Sequence, residues 1–414
     1  MFGTMFLKEC RQILRSMVYY IYVVVFVMFL TSQLSGELTE RMEQPQPGQL
    51  SYGMTNSTEE SAVMEKTLAG LVMETYHNSY ACYPMGFYKG VTLNAKELAR
   101  VTSIVEDCTG MEWEQVVYAM ENHYSQYERN TMDGAMQAQV SYSVVPREDL
   151  SYGQFCSKME EVCKILGAGS SYRKESLAAG VSVPMTYEQA VKEYKDLCTK
   201  DRFTGAIARL FCDYAGIVLS VLPVFLGVTR CLRDKRAQVS QVVYAHKISA
   251  FFIVASRYLA NVFMGFLPVA VTAFVIQMPY QYHAKTMGIV PDVLTFLKYS
   301  VVWLLPEIMI VLAISFFITE LTENVISIFI QVFWAIASLF SAAGLQGNFG
   351  FHLIARWNAL GNTAEFWEQR QELLVNRGCY FVLSLAVVAV TLVIYEKKRR
   401  EGETIYGKIF KRRK

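Results

Sequence analysis

The sequence predicts a polytopic α-helical membrane protein with six transmembrane helices and a mainly helical α+β extracytoplasmic domain. Of its 414 residues, 53% are hydrophobic and only 18% are charged, whereas soluble domains carry about 25% charged residues. The apolar residues form uninterrupted blocks that are long enough to cross about 30 Å of hydrocarbon. Basic residues cluster outside these blocks, most densely at the C-terminus.

The first 36 residues divide into an interfacial helix and a membrane span. Residues 17–34 contain no charge and predict transmembrane helix 1 over 17–36. A cleaved signal peptide is the competing interpretation, but the apolar run is too long and no small-residue cleavage site follows it. Residues 1–16 predict a cytoplasmic amphipathic interfacial helix, because basic side chains face away from an apolar stripe. A plain cytoplasmic extension of the span is the alternative. The stripe comprises Phe2, Phe6, Cys10, Ile13 and Met17.

The charge distribution predicts the orientation in the membrane. Residues 37–203 contain 24 acidic and 15 basic side chains, while the tail 397–414 is strongly basic. Positive charge is retained on the cytoplasmic side. We therefore expect both termini in the cytoplasm, residues 37–203 outside, and an even number of spans in the cell membrane.

The extracytoplasmic domain carries repeated helix-start signals of the capping-box type, in which a side chain three residues on returns the hydrogen bond of the cap. We expect a helix to begin at each of five such pairs of residues, and we expect Gly110 and Gly167 to end two helices. Alternating polarity predicts strands at 86–93 and 137–145. The five pairs are Ser57 with Glu60, Asn94 with Glu97, Thr109 with Glu112, Ser151 with Gln154, and Thr186 with Gln189.

Residues 204–396 hold transmembrane helices 2–6, followed by the basic cytoplasmic tail 397–414. Within this region we expect a cytoplasmic coupling segment at 230–250, where Asp234 would cap a short helix over 235–244 and Ser249 would cap the next. A basic loop that obeys the positive-inside rule explains this segment equally well. The spans are expected near 206–228, 259–276, 298–318, 325–345 and 379–395.

Several chemistries lack their motifs in this sequence. The chain has no Gly-x-x-x-x-Gly-Lys-Ser/Thr loop for nucleotide phosphates, and no Gly-x-Ser-x-Gly or His-Glu-x-x-His motif. Its nine cysteines and five histidines show no metal-binding spacing. We therefore predict no catalytic, cofactor-binding or metal site, and no enzymatic activity in this chain.

Polar residues inside the predicted spans are informative because they are costly in hydrocarbon. Arg209 and Asp213 lie one helical turn apart, and we expect them to pair with each other. Glu307 has no partner on its own helix, so we expect it to face the protein interior, either as a packed glutamate or in a transport pathway. Gln331 is open to the same two interpretations.

The order of these features resembles the membrane subunit of ABC transporters of the ABC-2 permease type. Permeases of Gram-positive bacteria with a large outer domain between the first two spans are particularly similar. The resemblance covers residues 1–36 and 200–400, and the outer domain corresponds by position. It is carried by residues 6–15, 247–249, 256–260, 319–322, 356–362 and 374–378.

The resemblance implies an exporter in the bacterial cytoplasmic membrane. ATP and Mg would bind a separate cytoplasmic ABC ATPase, and a second permease chain would complete a homodimer or heterodimer in the lipid bilayer, with no nucleic acid involved. Residues 346–378 would form an extracytoplasmic re-entrant segment, with Glu307 and Gln331 as candidates for the transport pathway. The candidate residues for coupling to the ATPase are Arg233, Asp234, Lys235, Arg236, His246 and Lys247.

One departure and two alternative functions accompany this expectation. Many permeases of the family carry an acidic residue and a Gly-Thr pair in the coupling stretch, where residues 233–238 read Arg-Asp-Lys-Arg-Ala-Gln. The first alternative is a membrane-anchored sensor or assembly protein with a ligand-binding outer domain. The second is an ion-coupled transporter with Glu307 as its coupling site.

Overall fold

The computed structural model describes residues 2–34, 43–84, 88–132, 142–341, 347 and 349–401. These residues form two compact units. The first comprises Met1–Glu43 with Glu193–Lys414, and the second comprises Gln44–Lys192. The second unit lies inside the range 37–203 that the sequence assigns to a separate domain.

The second unit is mainly helical, with two small antiparallel sheets. Strand β1 pairs with β4, and β2 pairs with β3. Its core is formed by apolar side chains of the longer helices, including Leu68, Ile104 and Phe155. The elements are β1 Met54–Ser57, α3 Glu60–Tyr76, β2 Tyr80–Cys82, β3 Lys89–Val91, α4 Ala95–Thr109, α5 Trp113–Met132, α6 Tyr152–Leu166, α7 Lys174–Ala178, β4 Val181–Pro184 and α8 Tyr187–Thr199, which continues into the first unit.

Three of the five predicted capping boxes are confirmed. The side chains of Asn94 and Ser151 cap α4 and α6 by accepting from backbone amides, and the backbone amide of each cap residue donates in return to the side chain three positions on. Thr186 and Gln189 exchange the same two bonds before α8. Gly110 ends α4 with a φ of 70°, a left-handed conformation that favours glycine. These signals are local, so the sequence alone identifies them.

Gly167 ends α6 as predicted, with a φ of 89°. The remaining local predictions for this unit are wrong or only partly correct. Ser57 ends strand β1, and α3 begins after Glu59 without a side-chain cap. Thr109 is the last residue of α4, where its hydroxyl donates to the carbonyl of Val105 at 2.9 Å. Strand β3 falls within the predicted 86–93. The predicted strand 137–145 lies partly outside the described residues, and its described part is not a strand.

The first unit contains the apolar helices. Five are long and apolar enough to cross a membrane, which indicates a multi-pass membrane protein. A shorter apolar helix, Ile326–Leu339, occupies the place of the predicted fifth span. The elements are α1 Phe2–Leu14, α2 Met17–Leu34, α9 Thr204–Leu219, α10 Pro223–Arg236, α11 Ser240–Ala245, α12 Ala250–Thr286, α13 Thr295–Thr322, α14 Ile326–Ser341 and α15 Thr363–Glu401.

Two helix boundaries differ from those expected. The predicted helix near 206–228 is divided into α9 and α10, because Pro223 cannot donate a backbone hydrogen bond and starts a new helix. Helix α15 begins at Thr363, well before the predicted start near 379, so it takes in much of the segment 346–378. The charged residues at 365–377 concealed this continuity, because they interrupt the apolar pattern.

Helix α1 packs its apolar face against α12. The rings of Phe6 and Phe263 lie 5.8 Å apart, and those of Phe2 and Phe252 lie 6.1 Å apart. Part of the face that the sequence predicted to lie on the membrane surface is therefore covered by protein. Met17, which we placed on this face, instead begins α2 and is exposed.

Candidate functional site: a buried ion pair at a helix break

The break between α9 and α10 leaves a backbone carbonyl without its helical donor. The amide of Val224 bonds to the carbonyl of Val221 rather than to that of Ser220. Gln331 of α14 is buried and donates its Nε2 to the Ser220 carbonyl at 2.7 Å. Gln331 therefore satisfies the broken helix, which assigns it a structural role.

Glycine residues bring α13 close to both halves of the broken helix. A Cβ atom at Gly216 of α9 would lie 3.3 Å from Oε2 of Glu307, and one at Gly227 of α10 would lie 2.5 Å from Oγ of Ser315. Ser315 also donates to the carbonyl of Val224 at 3.1 Å. Small residues at these crossings allow the helices to approach closely.

Glu307 lies at this crossing and is fully buried, as the sequence predicts. Its partner is Arg377 of α15, whose Nη1 lies 3.3 Å from Glu307 Oε2. This partner was not predicted, because residues 346–378 were expected to lie in an extracytoplasmic segment. The sequence offered one signal for such a partner: a carboxylate buried in a membrane span requires a basic side chain from another segment of the chain.

The pair is incompletely satisfied. Arg377 Nη1 donates to the carbonyl of Leu353 at 3.0 Å. Among the described residues, neither oxygen of Glu307 and neither Nε nor Nη2 of Arg377 has a hydrogen-bond partner. Buried charged groups are ordinarily paired and fully hydrogen-bonded. The unused acceptors and donors make this pair the strongest candidate for a polar ligand or ion within the helices.

The expected pair of Arg209 with Asp213 is wrong. Nη1 of Arg209 contacts Oδ2 of Asp201 at 2.5 Å, and both side chains are fully buried. Thr363 and Trp367 of α15 donate to the same carboxylate at 2.8 Å and 3.1 Å. This cluster joins the beginning of α9 to the beginning of α15.

Asp213 pairs instead with Arg356, from the segment before α15. Arg356 donates Nε and Nη2 to the two carboxylate oxygens at 2.8 Å and 3.0 Å, and the backbone amide of Trp357 donates to Oδ1 at 2.6 Å. A bidentate arginine with a backbone donor is a strong geometry for a buried carboxylate. It fixes the irregular segment around Arg356 to α9.

The other end of α10 carries a second ionic cluster. Arg230 donates to both oxygens of Glu9 at 2.5 Å and 2.6 Å. Asp234 accepts from Arg230 at 3.3 Å and from Arg257 at 2.5 Å. The cluster joins α1, α10 and α12, so Asp234 is an internal tie. It does not cap a helix at 235–244, because α10 continues to Arg236.

A third cluster joins α10, α15 and the end of α13. Lys398 of α15 lies 2.9 Å from Glu323 Oε1, and Lys235 of α10 lies 2.7 Å from Oε2. Lys398 also donates to the carbonyl of Glu320 at 2.7 Å. Burial opposes ionisation of Glu323, but the hydrogen bonds from Lys235 and Lys398 outweigh burial and lower its pKa below the ordinary 4.5.

This lowered pKa predicts a pH dependence of stability. Glu323 stabilises the fold fully above pH 4.5, and the contribution is lost as the pH falls through the lower pKa of the folded state. Replacing Glu323 with Gln should cost about 1 kcal/mol at neutral pH, because solvent screens its contact with the exposed Lys235, and should reduce the acid loss of stability. Thermal unfolding between pH 7 and pH 3 in detergent would measure both effects. An unchanged acid profile in the variant would contradict the assignment.

Helix α11 lies between α10 and α12 and is anchored by Arg399. The guanidinium of Arg399 donates to the backbone carbonyls of Tyr244, His246 and Ile248. This places the end of α11 against α15. The predicted cap at Ser249 is confirmed, since its hydroxyl accepts from the amide of Phe251 at 3.3 Å.

The candidate coupling residues fall into two groups. Asp234 and Lys235 are engaged in the ionic clusters that hold the helices together. Lys235 is nevertheless exposed. The others are exposed and form no ion pair among the described residues, although Arg233 donates to Gln12 at 2.8 Å. Sequence analysis missed Glu9 and Arg399, which organise this end of the unit through contacts distant in sequence. The exposed residues of this second group are Arg233, Arg236, His246 and Lys247.

The ionic clusters, the contact of Asp213 with Arg356 and the buried pair of Glu307 with Arg377 join the helices of the first unit. Within the described part of the chain, no group of three or more His, Cys, Asp or Glu residues could hold a metal ion. Comparison of this chain with protein-family models, curated proteins and solved structures finds no match. The two candidate functional regions are the buried pair of Glu307 with Arg377 and the exposed helix α11 with the residues that follow it.

Proposed function

We propose that the chain is the membrane subunit of an ABC exporter of the ABC-2 type, which couples ATP hydrolysis by a separate cytoplasmic subunit to export of a substrate. The five long apolar helices, with α14 as a short sixth span, support this proposal. Under it, α1, α11 and both termini are cytoplasmic, residues 37–203 are extracytoplasmic, and two permease chains act with two ATPases.

The observation that carries the proposal is the exposure of α11. None of its residues is buried, and the Val242 side chain is 60% exposed. The exposed bases His246 and Lys247 follow directly. A short helix that presents an apolar side chain with a basic rim suits docking to a partner protein.

The contacts of α11 provide a route for force. Arg399 fixes the end of α11 to α15, and the cluster around Arg230 joins α10 to α1 and α12. Helix α10 in turn meets α9 at the break, where Glu307 and Gln331 lie. Movement of α11 by an ATPase would thus reach the helices around the buried pair, as alternating access requires.

The decisive substitution is Val242→Asp. A charge at the centre of a docking face should weaken co-purification of the ATPase at least tenfold, because an apolar contact is replaced by a desolvated carboxylate. Val290→Asp is the matched control, since Val290 is 79% exposed in the connection between α12 and α13. Pull-down followed by a transport-coupled ATPase assay measures the effect.

The chain purified from its native membrane should carry an associated ATPase, and hydrolysis should respond to the presence of this chain. Purification without any nucleotide-hydrolysing partner would overturn the exporter. Equal effects of Val242→Asp and Val290→Asp would remove α11 as the docking element.

A second candidate function is ion-coupled transport through Glu307. Within the described residues, the oxygens of Glu307 have no hydrogen-bond partner and form one ion pair, with Arg377, and both observations favour this function. In that case transport would follow an ion gradient and persist without ATP. Uptake or efflux in vesicles without nucleotide distinguishes the two functions.

A further inference from the structure

An open cavity of about 440 Å³ lies where α1, α2, α10 and α12 meet. Four arginines line it, and no acidic side chain is among the described residues of its wall. Its volume is within the range of about 300–1,000 Å³ that is typical of sites for small ligands. The four arginines are Arg15, Arg230, Arg233 and Arg236.

Among the described residues, three of these arginines have no carboxylate partner. The positive charge of Arg230 is balanced by the carboxylate of Glu9, to which it donates two hydrogen bonds. Arg15, Arg233 and Arg236 are exposed, and within the described chain no carboxylate pairs with them. Arg233 contacts only the neutral amide of Gln12. A concave site with three uncompensated guanidinium groups attracts an anion, and phosphate fits the fork of arginine well.

The cavity lies beside the beginning of a membrane span. Val18 of α2 and Leu226 of α10 form part of its wall. Immediately beyond it, α2 presents exposed apolar side chains, including Met17 and Ile21. A ligand with an anionic head in the cavity and an apolar tail along α2 would contact both surfaces.

Asn261 of α12 adds a second polar feature to the wall. Its side chain is fully buried, and its Nδ2 donates to the carbonyl of Arg257 at 2.8 Å. Among the described residues, its Oδ1 has no hydrogen-bond partner. A buried amide oxygen requires a donor. A hydroxyl on the ligand head would supply it.

We propose that this cavity binds the headgroup of an anionic phospholipid. Arg15, Arg233 and Arg236 contact the phosphate, and a headgroup hydroxyl donates to Asn261. The acyl chains lie along the exposed face of α2. Basic pockets between membrane helices bind anionic lipid headgroups in this manner. The site is independent of the exporter function, since it requires only that α2 spans the membrane.

The test compares lipid binding by the full chain in nanodiscs. Wild-type protein should retain phosphatidylglycerol over phosphatidylcholine, measured by native mass spectrometry and by titration. The triple variant Arg15→Gln/Arg233→Gln/Arg236→Gln should lose roughly fivefold in affinity for each charge, or about a hundredfold in total. The matched control removes three charges from the tail with Lys411→Gln/Arg412→Gln/Arg413→Gln, and should lose little of this preference.

Each other outcome overturns the proposal. Equal loss in the pocket and tail variants would show only diffuse attraction to a charged surface, and equal binding of both lipids would show no anionic site. Displacement of the lipid by excess inorganic phosphate would identify a soluble anion as the ligand. The double variant Arg15→Gln/Arg236→Gln removes two exposed side chains and keeps the contact of Arg233 with Gln12. Its affinity for phosphatidylglycerol should fall roughly 25-fold. This variant therefore tests the proposal even if the triple variant is unstable.

Discussion

Replacing Asp213 with Asn is expected to destabilise the protein by about 3–5 kcal/mol, because it leaves Arg356 buried without its counter-charge. Asp213 is fully buried and accepts three hydrogen bonds, two from Arg356 and one from the amide of Trp357. Removal of one partner of a buried pair costs far more than the pair itself contributes. Thermal unfolding in detergent would measure the loss.

The chain contains a matched control for this change. Asp292 also accepts from a basic side chain, Lys298, and from a backbone amide, that of Leu294. Its pair is largely exposed, so Asp292→Asn should cost only about 0–1 kcal/mol. Similar losses at Asp213 and Asp292 would show that the Arg356 contact does not fix the segment before α15.

The features that could be predicted from the sequence are those determined by residues close together along the chain. The capping boxes at Asn94, Ser151 and Thr186 involve partners within three residues, so local spacing identifies them. The burial of Glu307 also follows from sequence, because a carboxylate in an apolar span must avoid lipid. The apolar character of the helices was predicted from the same local information, whereas the structure has five helices long enough to span a membrane and one shorter apolar helix in place of the six predicted spans.

The pairing of the buried charges depends on tertiary structure. Local spacing favoured Arg209 with Asp213, yet Arg209 pairs with Asp201 and Asp213 with Arg356. An i,i+4 contact contributes only about 0.2–0.5 kcal/mol on an isolated helix. A buried bidentate contact is stronger. Such contacts join distant segments, and one sequence does not reveal their pairing.

The helix break was accessible to sequence reasoning only in part. Pro223 is a recognisable start for a helix, because the first helical position needs no backbone donor. The break itself was less evident, since Leu222 before the proline keeps helical dihedrals of φ −56° and ψ −39°. The role of Gln331 was not accessible, because its acceptor at Ser220 lies far away in sequence. Its hydrogen bond favours the packing interpretation over the pathway interpretation. Among the described residues, Gln331 Oε1 and both oxygens of Glu307 lack a hydrogen-bond partner, so Glu307 differs in having no hydrogen bond from any of its polar atoms.

The pair of Glu307 with Arg377 should behave as a coupled unit in stability. Arg377→Met leaves a buried carboxylate without counter-charge and should cost about 3–5 kcal/mol. The double variant Glu307→Gln/Arg377→Met should recover most of this loss, because replacing both charges of a buried pair is often neutral. A double-mutant cycle of thermal unfolding measures the coupling. Additive losses would show that the two groups do not interact.

Transport distinguishes a functional pair from a structural one. A pair retained only for packing would be replaceable, so the double variant Glu307→Gln/Arg377→Met would transport normally once its stability is restored. We expect the opposite. The double variant should fold close to wild type and lose at least tenfold in transport, because the unsatisfied atoms of the pair are those available to a passing polar group or ion. Gln331→Met, in contrast, should lower stability by about 1–3 kcal/mol through the unpaired Ser220 carbonyl, and retain transport in proportion to folded protein. Wild-type transport by the double variant at equal expression would contradict a pathway role for Glu307.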